Sequence, residues 1–187
     1  MKKYAIVVVD MLKDTFKKRE STLAAEGLAI VPTLNRLLQR GRELNFPVIF
    51  AMDSFFREDY FFNGRIKPFS IRGTSGATVL DEIDQRPEDI YLPKRRWSAF
   101  FKTDLDQILR VKHIDVVILC GVTTGVCVLA TALDALSHDF EAILLEDCSA
   151  ALNPEEHRAV VDVYRKSGLY PYLRVSTSDA LWDEIDM

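Results

Sequence analysis

Residues 116–135 read Val116-Val117-Ile118-Leu119-Cys120-Gly121-Val122-Thr123-Thr124-Gly125-Val126-Cys127-Val128-Leu129-Ala130-Thr131-Ala132-Leu133-Asp134-Ala135. The unbroken apolar, β-branched run up to Cys120 suits a strand covered on both faces, as strands of a parallel sheet are. Gly121, the two threonines and Gly125 then make a tight turn, and the pattern over 125–137 is helical. Outward from this unit, similar runs recur at 4–9, 47–52, 90–92, 142–145 and 173–175. Amphipathic stretches at 27–45, 104–112, 154–167 and 178–185 lie between or after them, and Asn153-Pro154 forms a cap and first-turn pair. Parallel neighbours cannot be joined by tight hairpins, so the alternation predicts right-handed helical crossovers. The expected architecture is α/β: a three-layer αβα sandwich with a mostly parallel, about six-stranded, Rossmann-like sheet.

No Pro/Gly/Ser-rich linker or charge block divides the 187 residues, so a single domain over 1–187 is expected. Hydrophobic residues at 48% and charged residues at 28% are ordinary for a chain that buries a core. The net charge of -4, with no basic cluster larger than Lys17-Lys18-Arg19 or Lys94-Arg95-Arg96, argues against a nucleic-acid partner. Met1-Lys2-Lys3 has the basic character of an export signal, but Asp10 interrupts the following apolar run, which reads as a strand. No apolar stretch approaches the roughly 20 residues that span a bilayer, so no membrane partner is expected. Three cysteines (Cys120, Cys127, Cys148) and three scattered histidines (His113, His138, His157) lack metal-type spacing. No cofactor or structural zinc is expected, and a reducing, cytoplasmic compartment is.

In an open parallel sheet every carboxyl end lies on one edge, where sites form. Three polar residues satisfy that test: Asp10 after the first strand, Lys94 after 90–92, and Cys127 after the fourth strand and its turn. A sulfur in the first turn of a helix meets unpaired N–H groups, which favour a thiolate over a thiol of ordinary pKa about 8.5 and can hold an oxyanion. Lys94 supplies an ammonium, and Asp10 a carboxylate able to accept the thiol proton and pass it to a leaving amine. His113 and His138 lie at amino ends of strands and His157 lies inside a helix, which makes a Cys–His dyad the weaker arrangement. The plainer readings are that Cys127 packs a helix face, Asp10 caps the next element and Lys94 is solvated. For Cys120 and Cys148 core packing is the expectation. Asp53 and Asp147 also follow strands, and Asp53 reads as a hydrogen-bonding or capping residue. The loop over 54–75, with Phe55, Phe56, Tyr60, Phe61, Phe62 and Phe69, is long enough to close a pocket or to meet another subunit.

The segments Val8-Val9-Asp10-Met11 with Asp14, Lys94-Arg95-Arg96-Trp97-Ser98-Ala99-Phe100, and Cys120 to Val128 continuing into Ala130-Thr131-Ala132-Leu133-Asp134-Ala135 occur in that order. Together they resemble the isochorismatase-like cysteine hydrolases, which include nicotinamidases and N-carbamoylsarcosine amidohydrolases, over nearly the whole chain. The resemblance implies an Asp–Lys–Cys triad at Asp10, Lys94 and Cys127. It implies a cis peptide between Val122 and Thr123 with the Thr123 N–H toward the oxyanion, and a homo-oligomer. Candidate substrate-binding side chains are Phe16, Phe55 and Trp97. Trp97 and Phe100 serve equally as pocket wall or as core, and Phe16 departs from the family's Asp-Phe pair by reading Asp14-Thr15-Phe16. Nicotinamidases bind a metal through Asp-x-His and a further His. Here the first site is Asp53-Ser54-Phe55 and the second falls near Phe69, so no metal is expected. The implied activity is hydrolysis of a small-molecule amide or carbamoyl C–N bond through a thioester. An ether hydrolase of the isochorismatase type, or a thiol-redox or binding protein on the same fold, are the alternatives.

Overall fold

The computed structural model describes residues 2–64 and 66–186; Met1 and Met187 at the ends of the expected 1–187 domain, and Arg65 in the 54–75 loop, lie outside the described residues. Strands β1 (Tyr4–Val9), β2 (Val48–Asp53), β3 (Ile90–Lys94), β4 (Val116–Val122), β5 (Glu141–Ala150) and β6 (Leu173–Ser176) form one sheet in the order β3-β2-β1-β4-β5-β6. Every neighbouring pair is parallel. The chain begins in the middle of the sheet, winds outward to β3, and returns to build β4, β5 and β6 on the other side of β1. The winding reverses between β1 and β4, which leaves a crevice at their carboxyl ends.

Alternate β1 residues face opposite helical layers. Ile6 and Val8 pack toward α1 (Thr22–Ala29), α2 (Val31–Glu43) and α6 (Ser178–Asp186), in a core that includes Leu34, Leu37, Leu38 and Leu181. Ala5, Val7 and Val9 pack toward α3 (Leu105–Val111), α4 (Leu129–Ser137) and α5 (Pro154–Arg165), in a second core that includes Leu105, Leu109, Ala132 and Ala135. Both faces are dry, which explains why β1 and β4 read as continuous apolar runs. Each fully buried large apolar side chain contributes roughly 1.5–3 kcal/mol, so the sheet is a rigid platform for whatever its ends carry.

Several boundaries differ from the sequence expectation. The helix expected over 27–45 is two helices, because Ser21 accepts a hydrogen bond from the Ala24 N–H to start α1, and Pro32 brings no N–H to the first turn of α2. β4 continues to Val122 and β5 to Ala150, since the two strands pair again past a register irregularity at Gly121↔Ser149 and Val122↔Ala150. Lys94 is the last residue of β3 rather than a residue beyond it. The helix expected from Gly125 begins as a π-helical turn over Thr124–Val128, and regular α-helix starts only at Leu129.

Gly121 fixes how closely β1 and β4 approach at the crevice. Its φ is +106°, and a Cβ placed there would lie 2.2 Å from the Val9 carbonyl oxygen, so only glycine fits. The loop after β2 folds back on itself through the Phe55↔Ile71 bridge and a 3-10 turn at Tyr60–Asn63. Asp14 anchors it by accepting a hydrogen bond from the Ser70 N–H at 2.8 Å. Among the described residues no helix is long and apolar enough to cross a membrane.

Candidate active site

Asp10 follows the last residue of β1 with φ +52°, a left-handed conformation that aspartate tolerates better than most residues. Its N–H remains bonded to the Ala51 carbonyl while the side chain is 4% exposed. Asp10 Oδ1 accepts the Asp53 N–H at 2.7 Å. Oδ2 lies 2.8 Å from Lys94 Nζ as an ion pair but receives no aligned hydrogen bond.

Lys94 reaches this point because β2 and β3 are in register with Asp53 opposite Lys94. The side chain is buried, and its ammonium faces three oxygens: Asp10 Oδ2, Asp53 Oδ1 at 2.5 Å, and the Arg96 carbonyl at 3.1 Å. The last two accept hydrogen bonds from it, and the first is held by charge. Burial alone would lower its proton affinity, but Asp10 and Asp53 outweigh that and hold it above the usual lysine value. Asp53 was the member of the cluster read only as a hydrogen-bonding or capping residue. Burial and then the Asp10 charge push its carboxyl up to about 7, against the pull of Lys94. The signal was present in the sequence, since Asp53 ends a strand as Asp10 nearly does.

Cys127 lies in the π-helical turn after β4, and its sulfur, one Asp10 oxygen and one Asp53 oxygen all lie within 4.8 Å of one another. Thr131 Oγ1 donates to the Cys127 carbonyl at 2.7 Å and accepts the Ala99 N–H at 3.0 Å, tying the turn to the segment after Lys94. The surroundings of this sulfur work against the expected ready-made thiolate. Burial first, and the neighbouring Asp10 charge second, hold the thiol well above its ordinary value, and Lys94 offsets only part of this. Two nearby N–H groups, those of Val126 and Val128, are also already bonded to the Thr123 carbonyl. The helix-terminus argument overlooked both burial and the π-helical turn.

The groups open onto a cavity of about 350 Å³. Asp10, Asp53, Thr15, Thr123 and Cys127 supply its polar lining. Phe55, Phe61 and Phe69 from the long loop form one wall with Trp97, and Leu23, Val126 and Leu152 contribute elsewhere. The Val122–Thr123 peptide is cis and both residues line the cavity. Phe16 does not: its ring is fully buried over Gly27, whose place a Cβ would contest at 2.3 Å, and the preceding Thr15 faces the cavity instead. Phe100 is core, stacked on His138 at 4.8 Å. His157 is bonded through Nδ1 to Thr124 Oγ1 at 2.8 Å and Asp147 accepts the Ser178 N–H, so both support the framework. Cys120 and Cys148 are buried and free.

Asp10, Asp53 and Cys127 are spaced as metal donors could be, but they do not fit one here. The Lys94 ammonium already lies against both carboxylates, and the neighbouring side chains Phe55 and Phe69 meet edge to face at 5.3 Å with no donor atom to offer.

Known proteins share this fold. Residues 4–174 match the isochorismatase domain. An isochorismatase-like hydrolase from Alkaliphilus metalliredigens superposes with a TM-score of 0.86 at 30% identity, covering 98% of this chain and 99% of that one. The N-carbamoylsarcosine amidase of Thermoplasma acidophilum gives 0.79 at 33% identity, covering 95% and 97%. An Arabidopsis thaliana protein named a probable inactive nicotinamidase is 30% identical over 83% of this chain and 84% of its own length.

Proposed function

The chain belongs to the isochorismatase family and is a hydrolase of non-peptide C–N bonds, and from that premise we propose that it cleaves an amide or carbamoyl group of a small molecule through a thioester on Cys127. The observation that carries this reading is the meeting of Asp10, Lys94 and Cys127 at the floor of one small cavity. With burial pushing the thiol up, Asp10 Oδ2 takes its proton as the sulfur attacks the carbonyl carbon. The oxyanion develops beside the Val122–Thr123 peptide, with the Thr123 N–H as donor. Lys94 stays charged throughout and keeps Asp10 aimed while negative charge builds. Asp10 then gives the proton to the departing ammonia or amine. A water, deprotonated by Asp10, attacks the thioester, and the acid leaves as the thiol is restored.

Mass spectrometry of rapidly quenched protein mixed with small amides tests the scheme. The expected result is an acyl mass on the peptide carrying Cys127, with turnover lowered more than about 10⁴-fold in Cys127→Ala while the fold is retained. Undiminished turnover in that variant overturns the scheme.

A further inference from the structure

Among the residues lining the cavity, Asp10 and Asp53 are buried while Trp97 and Leu152 are exposed, and the apolar lining is of two kinds. One is aromatic: Phe55 meets Phe61 edge-on with ring centres 4.7 Å apart, and Phe61 leans on Trp97 at 5.6 Å. The other is aliphatic and comprises Leu23, Ile66, Val122, Val126 and Leu152. Such a slot favours hydrocarbon through burial of apolar surface and aromatic contact.

Its charges are equally telling. Among the described lining residues none is cationic, and Asp10 and Asp53 are acidic. Lys94 is 1% exposed, hydrogen-bonded to Asp53 Oδ1 and the Arg96 carbonyl and ion-paired with Asp10 Oδ2. Three arginines in or after the loop are engaged elsewhere. Arg72 donates to Ser54 Oγ and covers the Phe56 ring, and Arg95 and Arg96 pair with buried Asp59. All three line a separate depression. A carboxylate on the substrate would therefore lose water, gain no cationic partner among the described lining residues, and face two acidic groups.

Resting on the cysteine reaction above, we infer that the acyl part of the substrate is an uncharged hydrocarbon, flat or branched, held between the aromatic and aliphatic walls with its amide directed to the floor. Amides carrying a carboxylate on the acyl chain are poor substrates.

The test compares ammonia release from benzamide, 4-methylpentanamide and succinamate, the last being 4-methylpentanamide with a carboxylate in place of its isopropyl group. The expected kcat/KM is at least about tenfold higher for 4-methylpentanamide than for succinamate. Leu152, an exposed wall residue, provides the converse: Leu152→Arg should shrink that ratio by raising turnover of succinamate. Equal or faster turnover of succinamate by the unaltered protein overturns the inference and leaves the cysteine chemistry standing. Ammonia from none of the three overturns the reaction instead. The pocket is then judged by calorimetric binding to Cys127→Ser, where about tenfold tighter binding of 4-methylpentanamide supports the inference and tighter binding of succinamate overturns it.

Discussion

The two ends of the sheet both carry cavities lined by charge, and they could hardly differ more. At the amino ends of the strands a cavity of about 1020 Å³ is bordered by Lys2, Arg110, Asp115, Asp139 and Glu141. At the carboxyl ends, the site holding Cys127 has about a third of that space. Yet the Lys2–Glu141 pair in the large cavity has side chains 53% and 27% exposed, against 0% and 6% for Lys94 and Asp10. Water screens the first pair and is excluded from the second, so the same 2.6–2.8 Å separation has very different electrical consequences. Desolvated charge, not volume, is what sets the proposed reactive end apart.

Substitutions at the two ends put that contrast to measurement. Lys94→Met leaves two buried carboxylates facing each other without their ammonium, and should cost about 3–5 kcal/mol in urea denaturation and abolish turnover. A loss below about 1 kcal/mol would mean that water reaches the floor and that the contrast is overstated.

Asp53→Asn sharpens it through pH. The folded carboxyl is pushed up to about 7 by burial and by Asp10, so below that value the native protein holds a proton that the unfolded chain releases from pH 3.8 upward. Native stability therefore falls as pH rises between those two values and remains lower above them. The variant lacks this fall, and its advantage should grow by on the order of 2–4 kcal/mol from pH 4 to 8. In kinetics, wild-type kcat/KM should decline as pH rises through about 7, because a second anion repels the developing oxyanion, and the variant should flatten that limb. Parallel pH profiles for both proteins would show that Asp53 does not titrate in this range.

The smallest effect belongs to the open end. Lys2→Ala should alter stability by no more than about 1 kcal/mol and leave kcat/KM unchanged. A substantial loss of turnover there would give the large cavity a role this account denies it.

The strands were legible because both faces of the sheet are dry, so runs such as Ala5 to Val9 contain no polar residue that could mislead. The carboxyl-edge rule was enough to bring Asp10, Lys94 and Cys127 together from sequence alone. It would also have selected Asp53, but its role depends on the lateral order of β3, β2 and β1 and on the register that sets it opposite Lys94, and neither is written in local pattern. Phe16 was misplaced for a similar reason: the chain leaves β1 through the left-handed Asp10, and beyond that turn no period tells which of Thr15 and Phe16 faces inward. The upward push on the Cys127 thiol was the least legible property, because it depends on how much water surrounding groups remove, a quantity set by packing of segments distant in sequence.

The same burial bears on what else can reach the sulfur. Alkylating reagents and peroxide select for ionised cysteines, so a thiol pushed up in this way should label slowly in a proteome-wide reactivity screen. Under the proposed reaction the sulfur is activated as a guest fills the slot and Asp10 draws the proton away. The burial that opposes ionisation would then also slow oxidation between turnovers.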